Sequence, residues 1–165
     1  MGACHAGNSN VRVCPEGARY VEKKMEGEPK IAIMACEGGC IKGEVARVAA
    51  NIVAYQRARE ETIRICLGDA MTGESGFRTI IERAPRVLII EGCFLHCGTK
   101  MMQMRLPSFS PTIVEATTLY DFDREKYFEI LDLPREQIEG FAVQVASHVQ
   151  DVLAEKPEKR HRSDS

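Results

Sequence analysis

Three short apolar runs, each closing on or beside a cysteine, constrain this chain more than any other feature of its sequence. Ile31-Ala32-Ile33-Met34-Ala35 runs into Cys36-Glu37-Gly38-Gly39, Thr62-Ile63-Arg64-Ile65-Cys66-Leu67 into Gly68-Asp69, and Arg86 to Glu91 into Gly92-Cys93. A compact apolar run followed by glycine reads as a buried strand entering a tight loop. Between the runs the period changes. Ile41, Val45, Val48, Ala49, Ile52 and Val53 recur at helical spacing while Glu44, Arg47, Asn51 and Arg57 fall elsewhere, which predicts an amphipathic helix of about four turns. Phe77, Ile80, Ile81 and Ala84 mark a second helix, ended at the Ala84-Pro85 step.

Further on, a helix is expected after Gly92-Cys93, reaching about Met104, and a fourth strand over 112–120, rich in β-branched residues. A short helix over 123–131 and a long one starting at Pro134 complete the series. The last carries Ile138, Phe141, Ala142, Val145, Val149, Val152 and Leu153 on one face. Strands that alternate with helices, and that are apolar throughout, predict an α/β fold. The expected architecture is a mostly parallel four-stranded sheet with helices on both faces, Rossmann-like, in strand order 2-1-3-4. Right-handed crossovers put every strand's C-terminal end on one edge, where such sheets bind ligands.

Length sets one core: 165 residues give room for a single domain. We expect an irregular, cysteine-containing arm over 1–29, with a short helix over 18–25, the α/β domain over 30–155, and a disordered tail over 156–165. The tail is basic from Lys156 to Arg162 and reads as solvated. A formal net charge of -2 gives no electrostatic reason for a nucleic-acid or anionic-membrane partner. No apolar run is long enough to span a bilayer. The first residues lack a secretory pattern, and Ala6 stands where a myristoylation site wants Ser or Thr. A cytoplasmic location is the expectation.

That location bears on the seven cysteines, Cys4, Cys14, Cys36, Cys40, Cys66, Cys93 and Cys97. A reducing compartment disfavours disulfides and an odd number leaves one unpaired, so ligand or reactive-thiol roles come forward. Cys36, Cys66 and Cys93 each sit at the tip of a strand, and two are repeated at one interval, Cys36-x3-Cys40 and Cys93-x3-Cys97. The second cysteine of each pair falls in the first turn of the next helix. Tetrahedral Zn–S bonds of about 2.3 Å need sulfurs roughly 3.8 Å apart. Parallel strands lie about 4.8 Å apart, so thiols on adjacent tips reach one ion with modest adjustment. Free N–H groups at helix starts favour thiolates, and Gly38-Gly39 and Gly92 let backbone N–H groups turn toward sulfur.

A sulfur-only cluster selects zinc, Cu(I) or an iron–sulfur centre, with As(III) also thiophilic. Against this stands the bland reading, that free cysteines often serve as small buried hydrophobes. It weighs more on Cys66 and Cys40 than on Cys36, Cys93 and Cys97. Cys4, His5 and Cys14 could cap the edge or bind a second ion, but their spacing matches no compact zinc hook and an exposed arm is the readier reading. His96 is expected to point to solvent, and Met101, Met102 and Met104 to pack in the core. Glu37, Glu44 and Glu91 are candidates to support the ligands by hydrogen bonding. A phosphatase-like C-x5-R cradle fails, because Lys42 stands where Cys36 would need Arg, and Arg47 comes one position late for Cys40.

The same residues resemble the zinc-binding proteins with a DGC domain. The matching pieces are Cys36-Glu37-Gly38-Gly39-Cys40-Ile41-Lys42-Gly43-Glu44-Val45-Ala46-Arg47, Cys66 after its strand, and Glu91-Gly92-Cys93-Phe94-Leu95-His96-Cys97. The resemblance covers roughly 30–155. It implies one α/β domain in which Cys36, Cys66, Cys93 and Cys97 bind metal, Cys40 being present in a subset of relatives. It also implies metal handling or metalloid response. One departure is that the family's Asp-Gly-Cys is here Glu91-Gly92-Cys93.

The main expectation is therefore a zinc or soft-metal binding protein. Cys36, Cys93 and Cys97 are ligands, Cys66 or Cys40 completes the set, and no catalytic residue is named. The alternatives are a thiol-dependent redox or sulfur-transfer enzyme, in which Cys40 or Cys97 attacks and another cysteine resolves, and an iron–sulfur protein.

Overall fold

The computed structural model of the chain describes residues 15–72, 76–126, 128 and 132–155. A four-stranded, all-parallel sheet runs through it in the order β2-β1-β3-β4. The strands are β1 (Ile31–Ala35), β2 (Thr62–Arg64), β3 (Val87–Glu91) and β4 (Thr112–Glu115). Fold class and strand order are those expected from the sequence.

Alternation along the strands divides the core in two. Ile33, Ala35, Leu88, Ile90 and Val114 face α2 (Ile41–Ile52) and α6 (Arg135–Ala154). Ala32, Met34, Ile63, Ile65 and Ile89 face the other side. That side is covered by α1 (Pro15–Met25), α4 (Gly76–Arg83) and α5 (Cys97–Arg105). The two central strands are buried on both faces, which is why they read as continuous apolar runs and not as alternating ones.

Several boundaries differ from expectation, each for a local reason. β2 ends at Arg64, two residues short of Cys66, because a single-turn helix, α3 (Leu67–Ala70), follows and takes Cys66 as its N-cap residue. β4 stops at Glu115, where a 3₁₀ turn over Ala116–Thr118 begins. The helix expected after Cys93, with Cys97 in its first turn, begins at Cys97, and residues 92–96 form the turn out of β3. Of the helix expected over 123–131, the described part is a 3₁₀ turn, Arg124–Lys126; residues 127 and 129–131 lie outside the described residues.

The helix expected over 18–25 runs from Pro15 and packs on the core. Val21 is buried, and Tyr20 stacks on Phe77 of α4 with centroids 5.7 Å apart. Residues 1–14, with Cys4, His5 and Cys14, and the tail 156–165 lie outside the described residues. At its C-terminal end α2 widens into a π turn, Val53–Arg57. Among the described residues no helix is long and apolar enough to cross a membrane.

Candidate metal centre

Parallel strands bring their C-terminal ends to one edge, and that edge carries the cysteines. Cys36 follows β1 directly, and its N–H donates to Ile90 O at 2.8 Å, which ties the start of this loop to β3. Cys93 lies in the turn after β3, and Cys66 stands two residues beyond β2. Cys40 is the N-cap residue of α2 with extended backbone, and Cys97 is the first residue of α5. Both pairs thus join a strand end to a helix start, as their shared interval suggested.

Two close backbone approaches hold these loops together. A Cβ on Gly43 would stand 2.4 Å from Gly38 O and 2.7 Å from Gly38 N, so the β1–α2 loop folds flat against its own helix only because residue 43 is glycine. A Cβ on Gly92 would stand 3.0 Å from the carbonyl of Lys42. Through this second contact the Cys93 turn rests on the first turn of α2, beside the helix start that carries Cys40.

Cys36 has the most developed surroundings. The backbone N–H groups of Gly38 and Gly92 lie near its sulfur, as do Cys40 and Glu91. Burial is the strongest influence on this thiol and pushes its pKa up; the two N–H groups work in the opposite direction, and the Glu91 carboxylate and Cys40 raise it further. The place a Gly38 Cβ would occupy lies 3.3 Å from Cys36 Sγ and 4.0 Å from Cys40 Sγ, so both sulfurs border the same small space. Cys36, Cys40 and Cys93 are partly buried, while Cys66 and Cys97 are exposed. All five thiols are free. Among the described residues no three His, Cys, Asp or Glu side chains stand close enough together to hold an ion as placed.

Glu91, the carboxylate of the Glu-Gly-Cys segment, sits beneath the edge with 1% exposure. It accepts from Thr99 N at 2.6 Å, Thr99 Oγ1 at 2.7 Å and Gly98 N at 3.3 Å. Two of these donors are free N–H groups and the third a hydroxyl, all in the first turn of α5, where a negative side chain is favoured. Glu91 therefore fixes the helix start that presents Cys97, the supporting role the sequence left open. Glu37 pairs instead with the buried Arg64, at 2.5 Å, and Glu44 with Arg47 and Arg135, away from sulfur.

Two side chains depart from expectation. His96 is half buried in the left-handed region, φ 48°, with Nε2 3.5 Å from Glu115 Oε2 but without hydrogen-bond geometry. Its ring turns toward β4, and a solvent-pointing histidine is not what the structure holds. Only Met102 of the methionine group packs in the core, since Met101 and Met104 are 41% and 82% exposed. Reasoning from residue types missed Arg64, which is buried at 7% exposure within an edge strand. Its position in an otherwise apolar run was the available signal.

The family model described as DGC domain matches residues 32–145. No curated protein and no solved structure matches the chain.

Proposed function

This chain belongs to the DGC-domain family, and from that premise we propose that it binds a soft metal ion, zinc foremost, through thiolates at the C-terminal edge of the sheet. The observation that carries the reading is the convergence of five free cysteines, from three successive strand–helix junctions, on one edge of a parallel sheet. Sulfur donors fit the ions named from the sequence: zinc, and also Cu(I), As(III) or an iron–sulfur centre. Cys36, Cys93 and Cys97 would hold the ion, with Cys40 or Cys66 as the fourth donor. A bound zinc would stabilise the thiolate forms and tie the three junctions together.

The protein's own residues supply the rest. Gly38 and Gly92 N–H groups neutralise part of the charge on Cys36, and Glu91 anchors the helix bearing Cys97. The sulfurs stand apart as placed, so the loops close by side-chain rotation as the ion binds. That suits exchange of the ion more than a rigid structural role, and supports metal handling or metalloid response as the wider context. A site dependent on free thiols belongs in a reducing compartment, so we place the protein in the cytoplasm.

Cobalt substitution tests this reading. Co(II) added anaerobically to the full chain is expected to give sulfur-to-cobalt charge transfer and the strong visible bands of a tetrahedral thiolate site. Cys36→Ser, Cys93→Ser and Cys97→Ser should each weaken both, and zinc should displace the cobalt. Weak octahedral bands, unchanged in all three variants, would overturn it.

A further inference from the structure

A cleft of about 600 Å³ opens beside the thiol edge, between α1 and the π turn that ends α2. Tyr20, Arg47, Tyr55, Arg64 and Cys66 line it, together with Glu37. We propose that this cleft binds a small zwitterionic thiol of amino-acid or short-peptide kind, or its disulfide, with the ligand's sulfur at Cys66.

Charge and shape together support this occupant. The lining carries two guanidinium groups, Arg47 and Arg64, and two carboxylates, Glu16 and Glu37; each is already ion-paired within the chain, so a ligand bearing both signs would bind by sharing these pairs. Arg64 is held in place on three sides. Its Nε donates to Asn51 Oδ1 at 3.1 Å, Nη2 to Glu37 Oε1 at 2.5 Å, and Nη1 to Ile65 O. A guanidinium so fixed is a pre-organised element and not a mobile surface charge. Arg47, 39% exposed, is the more accessible cation, with its Nε and Nη2 already donating to Glu44.

Two phenols add polar groups. The Tyr20 hydroxyl is buried beside the Tyr55 phenol. Burial and the neighbouring Tyr55 phenol push its pKa up to about 12, so it is a neutral donor for a carboxylate. Tyr55 is carried into the lining by the π turn, a departure from regular helix often found at binding sites. Cys66 is exposed and belongs to the same wall. The space exceeds that of a single amino acid, and small-molecule sites commonly fall in this size range.

A sulfur placed at Cys66 permits thiol–disulfide exchange. The Cys66 thiolate attacks one sulfur of the ligand's disulfide, a new S–S bond forms, and the ligand's own S–S bond breaks. The released half leaves as a thiolate and takes up a proton; Cys66 is oxidised and the departing half reduced. No metal is required, so the inference goes beyond the soft-metal reading and is tested on metal-free protein.

The test compares four disulfides on the metal-free full chain at about pH 8, where thiols react readily. They are zwitterionic cystine, dicationic cystamine, dianionic dithiodipropionate and neutral hydroxyethyl disulfide. Peptide mass mapping follows Cys66 against Cys97, also exposed, in the same molecule, which cancels each reagent's intrinsic reactivity. The Cys66-to-Cys97 rate ratio is expected to be at least about tenfold higher for cystine than for the other three. Arg47→Gln and Tyr55→Phe, with folding checked by circular dichroism, should each remove most of that advantage. Equal ratios for all four reagents, or an advantage that survives both variants, would overturn the proposal. Dithiodipropionate matching cystine would replace it with a simple oxyanion site. Zinc stoichiometry is measured separately, so failure of this inference and failure of metal binding are told apart.

Discussion

Glu91 is a carboxylate at 1% exposure, and burying one without partners would cost several kcal/mol. It persists because three donors from the start of α5 face it. The family's pattern has Asp here, one methylene shorter, so in this chain the longer side chain does the reaching. Glu91→Gln keeps the size but turns an NH₂ group toward one of those donors. We expect a loss of about 1–2 kcal/mol in unfolding free energy and faster amide exchange at Gly98 and Thr99. Unchanged stability and exchange would contradict the anchoring role. Two local features escape a one-dimensional reading. Cys66 falls beyond its strand, because nothing in Ile65-Cys66-Leu67 announces the single helical turn that begins there. His96 takes a positive φ at the α5 N-cap, where residue-type preference gives no warning.

Elements meet where α2 packs on α6, and Glu44 is the polar clasp between them. It accepts from Arg47 at 2.7 and 2.9 Å within α2 and pairs with Arg135 of α6 at 2.5 Å. The hydrogen bonds from Arg47, and secondarily Arg135, hold its carboxyl below the usual range, against the upward pull of burial. A carboxyl lowered on folding contributes stability that is fully present above its unfolded pKa and is lost as pH falls through its folded value. Because Arg135 is half exposed, solvent screens the pair. Glu44→Gln should therefore cost about 1 kcal/mol at neutral pH, and the gap to the parent should close on acidification through the carboxylate range. Denaturant titrations at several pH values read this; a gap that widens toward acid would contradict it. That α6 faces a core was legible from Ile138, Ala142, Val145 and Val149, since a helical stripe of that width must be covered. The clasp was not, because Glu44 and Arg135 lie 91 residues apart and only the folded chain brings them together.

At the scale of the whole molecule, parallel topology accounts for the gathering of the cysteines. Apolar runs buried on both faces specified a parallel sheet, and parallel strands put the loops that follow them on one edge, so the strand order and the edge could be read before the structure. Side-chain rotamers and loop closure could not, since neither composition nor spacing encodes whether sulfurs stand at ligating distance. The described thiols border one edge without forming a closed trio, and the account requires the ion to complete what the fold begins. The most direct test is zinc content by mass spectrometry on untagged full-length protein purified anaerobically without added metal, with reactive thiols counted in parallel. About one zinc per chain is expected, with four cysteines protected until a chelator is added. No metal, with all seven cysteines reactive from the start, would contradict it and bring thiol redox chemistry to the front.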